Sequence, residues 1–165
     1  MRPLLLVLGL IAVVTPDLAH AQRFHSSGSI VINDFNVATP YPSSIVVPAG
    51  LGNGGVVTDL TVTLLNVRHS CYRDLDILLV PPPGPGRKPI LLMSDAGDCT
   101  GVAQTATFWF NDRAANPMPD RAPLFDNVLY SPTDYASNPD VFPNVSMPNG
   151  VTNVLSMSGD PAGEW

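Results

Sequence analysis

Lysine and glutamate are nearly missing from this sequence: Lys88 is the only lysine and Glu164 the only glutamate in 165 residues. Charged side chains of all kinds make up 13% of the chain, and 8 basic against 14 acidic residues leave a net charge of −6 at neutral pH. Without clustered cations the surface lacks what nucleic acids and anionic membranes ask of a partner. The modest negative charge needs no ligand to explain it, because it also keeps an exported protein in solution. Good helix formers are thin, and no helical periodicity longer than about ten residues survives the prolines. No internal repeat is visible. Long apolar runs are absent apart from Leu4 to Val14, which is too short for a bilayer span of about 20 residues.

That one apolar run follows Arg2 and precedes Ala19-His20-Ala21, small residues where a signal peptidase requires them. Residues 1–21 therefore read as a secretory signal peptide, in preference to an uncleaved membrane anchor. The mature chain is expected to be secreted, periplasmic or held at the cell surface, without a membrane span of its own. Residues 22–29 are polar and read as a flexible leader. Residues 30–165 suffice for one domain with a sizeable core and not for two. Cys71 and Cys99 are the only cysteines. In an oxidising compartment they are expected to pair in one disulfide, the alternative being free reactive thiols.

Eighteen prolines and thirteen glycines punctuate Val, Ile, Leu and Thr, the composition of short strands joined by turns. The stretch from His69 to Gly84 reads H-S-C-Y-R-D-L-D-I-L-L-V-P-P-P-G. It predicts a central strand with Leu75, Ile77 and Leu79 on one face and Asp74 and Asp76 on the other, ended at Pro81. Upstream, short strands are expected at Ser29–Asn33 and Ile45–Val47. A longer one, Val56 to Val67, carries Val56, Thr58, Leu60, Val62 and Leu64 on one side and is expected to neighbour Leu75–Val80. Downstream, Ile90–Met93 is the expected hairpin partner of the central strand. Ser94 to Gly101 reads as a polar loop. Thr105 to Phe110 alternates, with Ala106, Phe108 and Phe110 on one face, and Trp109 on the other is expected to cover an edge. Asn111 to Gly150 has no reliable periodicity and reads as a long surface excursion held by Phe125, Tyr130, Tyr135 and Phe142. A last strand is expected at Val151–Met157. The sum is an all-β antiparallel sandwich of jelly-roll or Greek-key type.

Several stretches together resemble the P domain, or Homo B domain, of proprotein convertases and of bacterial secreted subtilisin-like proteases. His69, Asp74, Leu75, Ile77, Leu79 and Pro83-Gly84 are similar to that family's histidine, D-L-x-I-x-L and proline-glycine turn. Thr39 to Ile45 and Val62-Thr63-Leu64 look like the strands before it. Leu91 to Gly97, Thr107-Phe108 and Phe110 to Ala114 look like its loop and F-D-D-x-A segment. Val154 to Gly159 with Gly163-Glu164-Trp165 is similar to the closing L-S-x-F-x-G and G-x-W signature. The resemblance covers about Ile30 to Trp165, and its force lies in the order and spacing of weak pieces. It implies a galactose-binding-like sandwich that is noncatalytic and stabilises or positions a protease domain. The family continues beyond G-x-W with further strands, so the chain is expected to lack its last strands. Cys71 and Cys99 are not part of the family pattern.

Candidate chemistry is sparse. H-E-x-x-H and G-x-S-x-G are both absent, and one of the three histidines lies in the signal peptide, so neither a zinc protease nor a serine hydrolase is expected. His69 is instead expected to hydrogen-bond at a strand start. Asp95 and Asp98 in one loop and Asp112 after the next strand would suit a calcium ion if they converge, and Asp74 with Asp76 is a second acidic pair. The plainer reading is that such acids cap turns and stay solvated. Asn144-Val145-Ser146 fits a glycosylation sequon. Trp109, Tyr130 and Tyr135 are candidates for stacking on sugars if the domain is a carbohydrate-binding jelly roll instead.

Overall fold

The computed structural model describes residues 21–33, 36–51, 57, 59–84, 86–145 and 160–165. The signal-peptide residues before Ala21 and the strand expected at Val151–Met157 lie outside them. Among the described residues eight strands follow in order: β1 (Val46–Val47), β2 (Val62–Cys71), β3 (Ile77–Leu79), β4 (Ile90–Ser94), β5 (Cys99–Phe110), β6 (Val128–Tyr130), β7 (Thr133–Asp134) and β8 (Gly163–Glu164). A single 3₁₀ turn, Tyr72–Asp74, separates β2 from β3. The fold is all-β, and no helix among the described residues is long and apolar enough to cross a membrane.

The strands form a sheet ordered β2-β5-β6, a second ordered β3-β4-β7, and a ribbon of β1 with β8. Both three-stranded sheets send side chains into one core. Ala106, Phe108, Phe110 and Tyr130 come from the first sheet, and Ile90, Leu92 and Met93 from the second, joined by Tyr72, Leu75, Met118 and Leu124 from the connections. Aromatic packing concentrates on Phe108, whose ring meets Tyr72 at 5.3 Å and Tyr130 at 6.4 Å between centroids, both edge-on. Such pairs add about 1 kcal/mol beyond the area they bury.

Three expectations are corrected. β2 pairs antiparallel with β5 rather than with β3, so the strand after Tyr72 belongs to the other sheet. There β3 lies at an edge and β4 at the centre, which is why every residue of β4 is buried. The reason is the 3₁₀ turn, which carries the chain across the core before Leu75. Second, Trp109 covers no edge. It lies on the middle strand of its sheet, between Thr63 and Leu129. Third, the Asn111–Gly150 excursion contains β6 and β7, which join β5 and β4 in parallel. Their connections are the crossovers that parallel neighbours require. Of the four aromatics expected to hold this excursion, Tyr130 is buried whereas Phe125 stays largely exposed.

Elsewhere the pattern held. β3 and β4 pair antiparallel as a hairpin across the proline-rich turn, and Ala106, Phe108 and Phe110 face the core. The early strand at Ser29–Asn33 reduces to one bridge between Val31 and Thr39.

Candidate functional site

The residues singled out by sequence gather at the ends of the two sheets. Cys71 and Cys99 are register partners at the end of β2 and the start of β5, and their sulfurs lie at disulfide-bonding distance. His69 precedes them on β2. Its Nδ1 lies 2.6 Å from the Cys71 carbonyl oxygen and accepts the Cys71 N–H at 3.2 Å, so the ring is engaged by its own backbone. Asp74, in the 3₁₀ turn, is exposed beside the cysteines. These three are the only His, Cys, Asp or Glu trio among the described residues with ligand atoms within 4.8 Å of one another. Paired sulfurs carry no thiolate, so the grouping is not a metal centre.

The calcium set expected at Asp95, Asp98 and Asp112 does not converge. Asp98 immediately precedes β5 and Asp112 lies two residues beyond its other end. At about 3.3 Å per residue an extended strand of this length holds them roughly 40 Å apart. Asp98 serves a different purpose: its backbone carbonyl accepts a hydrogen bond from Tyr72 N–H at 3.0 Å. Burial pushes the Tyr72 phenol up from its ordinary pKa, with smaller contributions from the charges of Asp126 and Asp98. Its hydroxyl donates to the Val67 carbonyl at 3.2 Å.

Asp76 is where the structure adds residues. Ile77 pairs with Met93, which sets Asp76 across from Ser94 at the end of the sheet, and Ser94 pairs with Asp134 on its far side. Opposed residues share a face. Asp95 follows in a left-handed conformation, φ 51°. The Asp76 carboxyl is raised above the usual carboxylate range by desolvation first, then by the charge of Asp140 and, less, of Asp95; the Ser94 hydroxyl and the Asp95 backbone temper the rise. Ser94 is completely buried with its hydroxyl on the Asp76 carboxylate, while the buried Asp98 Oδ1 and Asp140 Oδ2 find no hydrogen-bond partner. Sequence reasoning missed Ser94 and Asp140. Ser94 reads as the first residue of a polar loop, and Asp140 sits in a stretch without periodicity.

The remaining family-like residues hold the framework. Gly84 accepts a hydrogen bond from Arg87 N–H in the turn after the prolines. The Arg87 guanidinium donates to the carbonyls of Pro82 and Asp160, tying that turn to the C-terminal segment. Gly163, at φ 132°, lies so close to Pro82 that a Cβ would sit 2.7 Å from the proline's Cβ. Trp165 exchanges two backbone hydrogen bonds with Ile45 at 2.9 Å, donates Nε1–H to the Pro161 carbonyl at 2.8 Å, and packs on the core. In the F-N-D-R-A segment, buried Asn111 donates through Nδ2 to Asp59 Oδ1, the Leu60 carbonyl and Thr61 Oγ1.

Of the aromatics considered for sugar stacking, Tyr130 is buried and accepts the Phe125 N–H at its hydroxyl, so it presents no ring to solvent. Trp109 is half-buried on the outer face of its sheet, and Tyr135 is partly exposed with its hydroxyl on the Met118 carbonyl. Asn144 is exposed at φ 64°, while Ser146 of the sequon lies outside the described residues. No family model, curated protein or solved structure matches the chain.

Proposed function

We propose that the chain is a noncatalytic accessory β-domain of the P-like kind, carried by an exported protein, which stabilises or positions a subtilisin-like catalytic domain. The observation that carries this reading is what the family-like segments do. Asp74-Leu75 and Ile77 to Leu79, Leu91 to Gly97, Asn111 and Gly163 to Trp165 are spent on pairing, turning and packing. They leave no convergent nucleophile, base and oxyanion donor such as hydrolysis needs. His69, the best candidate base, is turned onto the Cys71 carbonyl. Residues 22–165 should therefore cleave no fluorogenic peptide substrate. Grafted in place of the native accessory domain of a secreted subtilisin-like protease, they should restore that enzyme's half-life at elevated temperature. A graft that decays like the bare catalytic domain counts against the proposal.

A carbohydrate-binding module is the second reading. The observation in its favour is the row Thr63, Trp109 and Leu129 across the outer face of the β2-β5-β6 sheet. Glycan-array binding lost on Trp109→Ala, with folding kept, would favour it.

A further inference from the structure

We propose that Cys71, Cys99 and Asp74 form a zinc site that exists only while the two cysteines are reduced, so that bridge and metal are alternative fastenings of one sheet end. In the bridged form the sulfurs carry no thiolate and hold no metal. The geometry around them does not depend on the bridge. Cys71 and Cys99 are register partners of β2 and β5, and just beyond them Tyr72 N–H donates to the Asp98 carbonyl at 3.0 Å. Tyr72 itself is buried, with its ring edge-on to Phe108. These backbone and core contacts keep the two cysteine side chains opposed once the sulfurs part.

Asp74 supplies the third ligand. It stands in the 3₁₀ turn, which is closed by Leu75 N–H on the Tyr72 carbonyl at 3.1 Å. One carboxylate oxygen and the two sulfurs all lie within 4.8 Å of one another, with Asp74 and Cys99 exposed to an arriving ion. Tetrahedral zinc, with Zn–S about 2.3 Å and Zn–O about 2.1 Å, wants such atoms roughly 3.5 to 3.8 Å apart, a spacing reached by rotating the cysteine side chains. The neighbouring Arg73 is spent on Asp120 at 2.5 Å, and no ion pair among the described residues uses Asp74. Water fills the fourth position, since His69 is engaged by the Cys71 backbone. Two thiolates disfavour calcium and magnesium, and the carboxylate oxygen favours zinc over soft cuprous copper. A dithiol reductant opens the site by thiol–disulfide exchange: it gives two electrons and two protons and leaves as its own disulfide. Zn²⁺ then displaces the two thiol protons, with no change in its own oxidation state.

The test is zinc titration of residues 22–165, reduced with a phosphine and desalted without oxygen, followed by calorimetry and by thermal melting, with the bridged chain beside it. The reduced parent should take up one zinc saturably and melt several degrees higher with zinc than in chelator, while calcium leaves it unmoved. Cadmium in place of zinc should give the ultraviolet charge-transfer band of thiolate ligands. The bridged parent should bind no zinc. Asp74→Asn should weaken zinc binding to the reduced chain at least tenfold, whereas Asp112→Asn, beyond the far end of β5, should leave it unchanged. Zinc held by the thiols of an unfolded chain would lower the melting temperature or leave it where it is, and either result overturns the proposal. So does zinc bound equally well by the bridged parent, or by the reduced Asp74→Asn variant.

Discussion

Gly97 shows how narrowly single residues are constrained here. It sits at φ 88°, its N–H donates to the Pro119 carbonyl at 2.8 Å, and a Cβ would lie 2.9 Å from Leu124 Cγ and 3.1 Å from Tyr72 Cβ. Gly97→Ala should therefore destabilise by about 2 kcal/mol, from a strained backbone and overpacking together, seen as a lower urea midpoint at unchanged slope. Asn111→Asp is the polar counterpart. It turns a donor to three acceptors, Asp59 among them, into an acceptor facing acceptors, and should cost about 2 kcal/mol in the same measurement. Asp76 gives the pH dependence. Its folded carboxyl holds its proton above the ordinary range, so the folded chain binds more protons than the unfolded chain between about pH 4 and the raised value. This group adds stability as pH falls through that window and loses it as pH rises. Asp76→Asn should melt higher than the parent at neutral pH, with the advantage shrinking toward about pH 4, where the folded carboxyl is protonated. That Asp76 stands apart from Leu75 and Ile77 was legible from alternation, whereas Asp74, expected on the same strand face, lies in the 3₁₀ turn. Which groups face Asp76 was not, because Asp140 comes from a stretch whose path is set by tertiary packing.

At the scale of elements, the hairpin of β3 and β4 and the inward face of β5 were readable, because each carries an unbroken period of two or an apolar run with turn residues at its ends. β2 was not. Its alternation breaks where Asn66 turns to φ 54° and its N–H is taken up by Thr107 Oγ1 at 3.2 Å, with a register shift between Leu64 and Val67. Beyond that bulge the strand runs on through Arg68, His69 and Ser70, since ladder hydrogen bonds need only backbone. β6 and β7 are too short, at three and two residues, for any periodicity to register. The bond between Cys71 and Cys99 belongs to this scale, because it fastens β2 to β5 where their pairing ends. With the cysteines 28 positions apart in sequence, reducing it should cost roughly 3 kcal/mol in a chain-entropy account. Denaturation with and without reductant measures this, and thiol titration of the unfolded chain should find no free thiol until reductant is added.

For the whole molecule, one core shared by two small sheets is closed by the β1–β8 ribbon, in which Trp165 pairs with Ile45 and Gly163 rests on Pro82. The all-β class was legible from proline, glycine and β-branched content. The sheet order was not, because one three-residue turn after Cys71 decides which sheet the next strand enters, and parallel pairing is decided by crossovers with no periodicity of their own. The same distribution of roles underlies the proposed function: the recognisable residues among those described build the frame. The most direct measurement replaces the native accessory domain of a secreted subtilisin-like protease by residues 22–165 and follows the loss of peptidase activity with time at elevated temperature. The account predicts a half-life near that of the intact protease and well above that of its isolated catalytic domain. A half-life equal to the isolated domain's, in a graft whose accessory part is folded by circular dichroism, would contradict it.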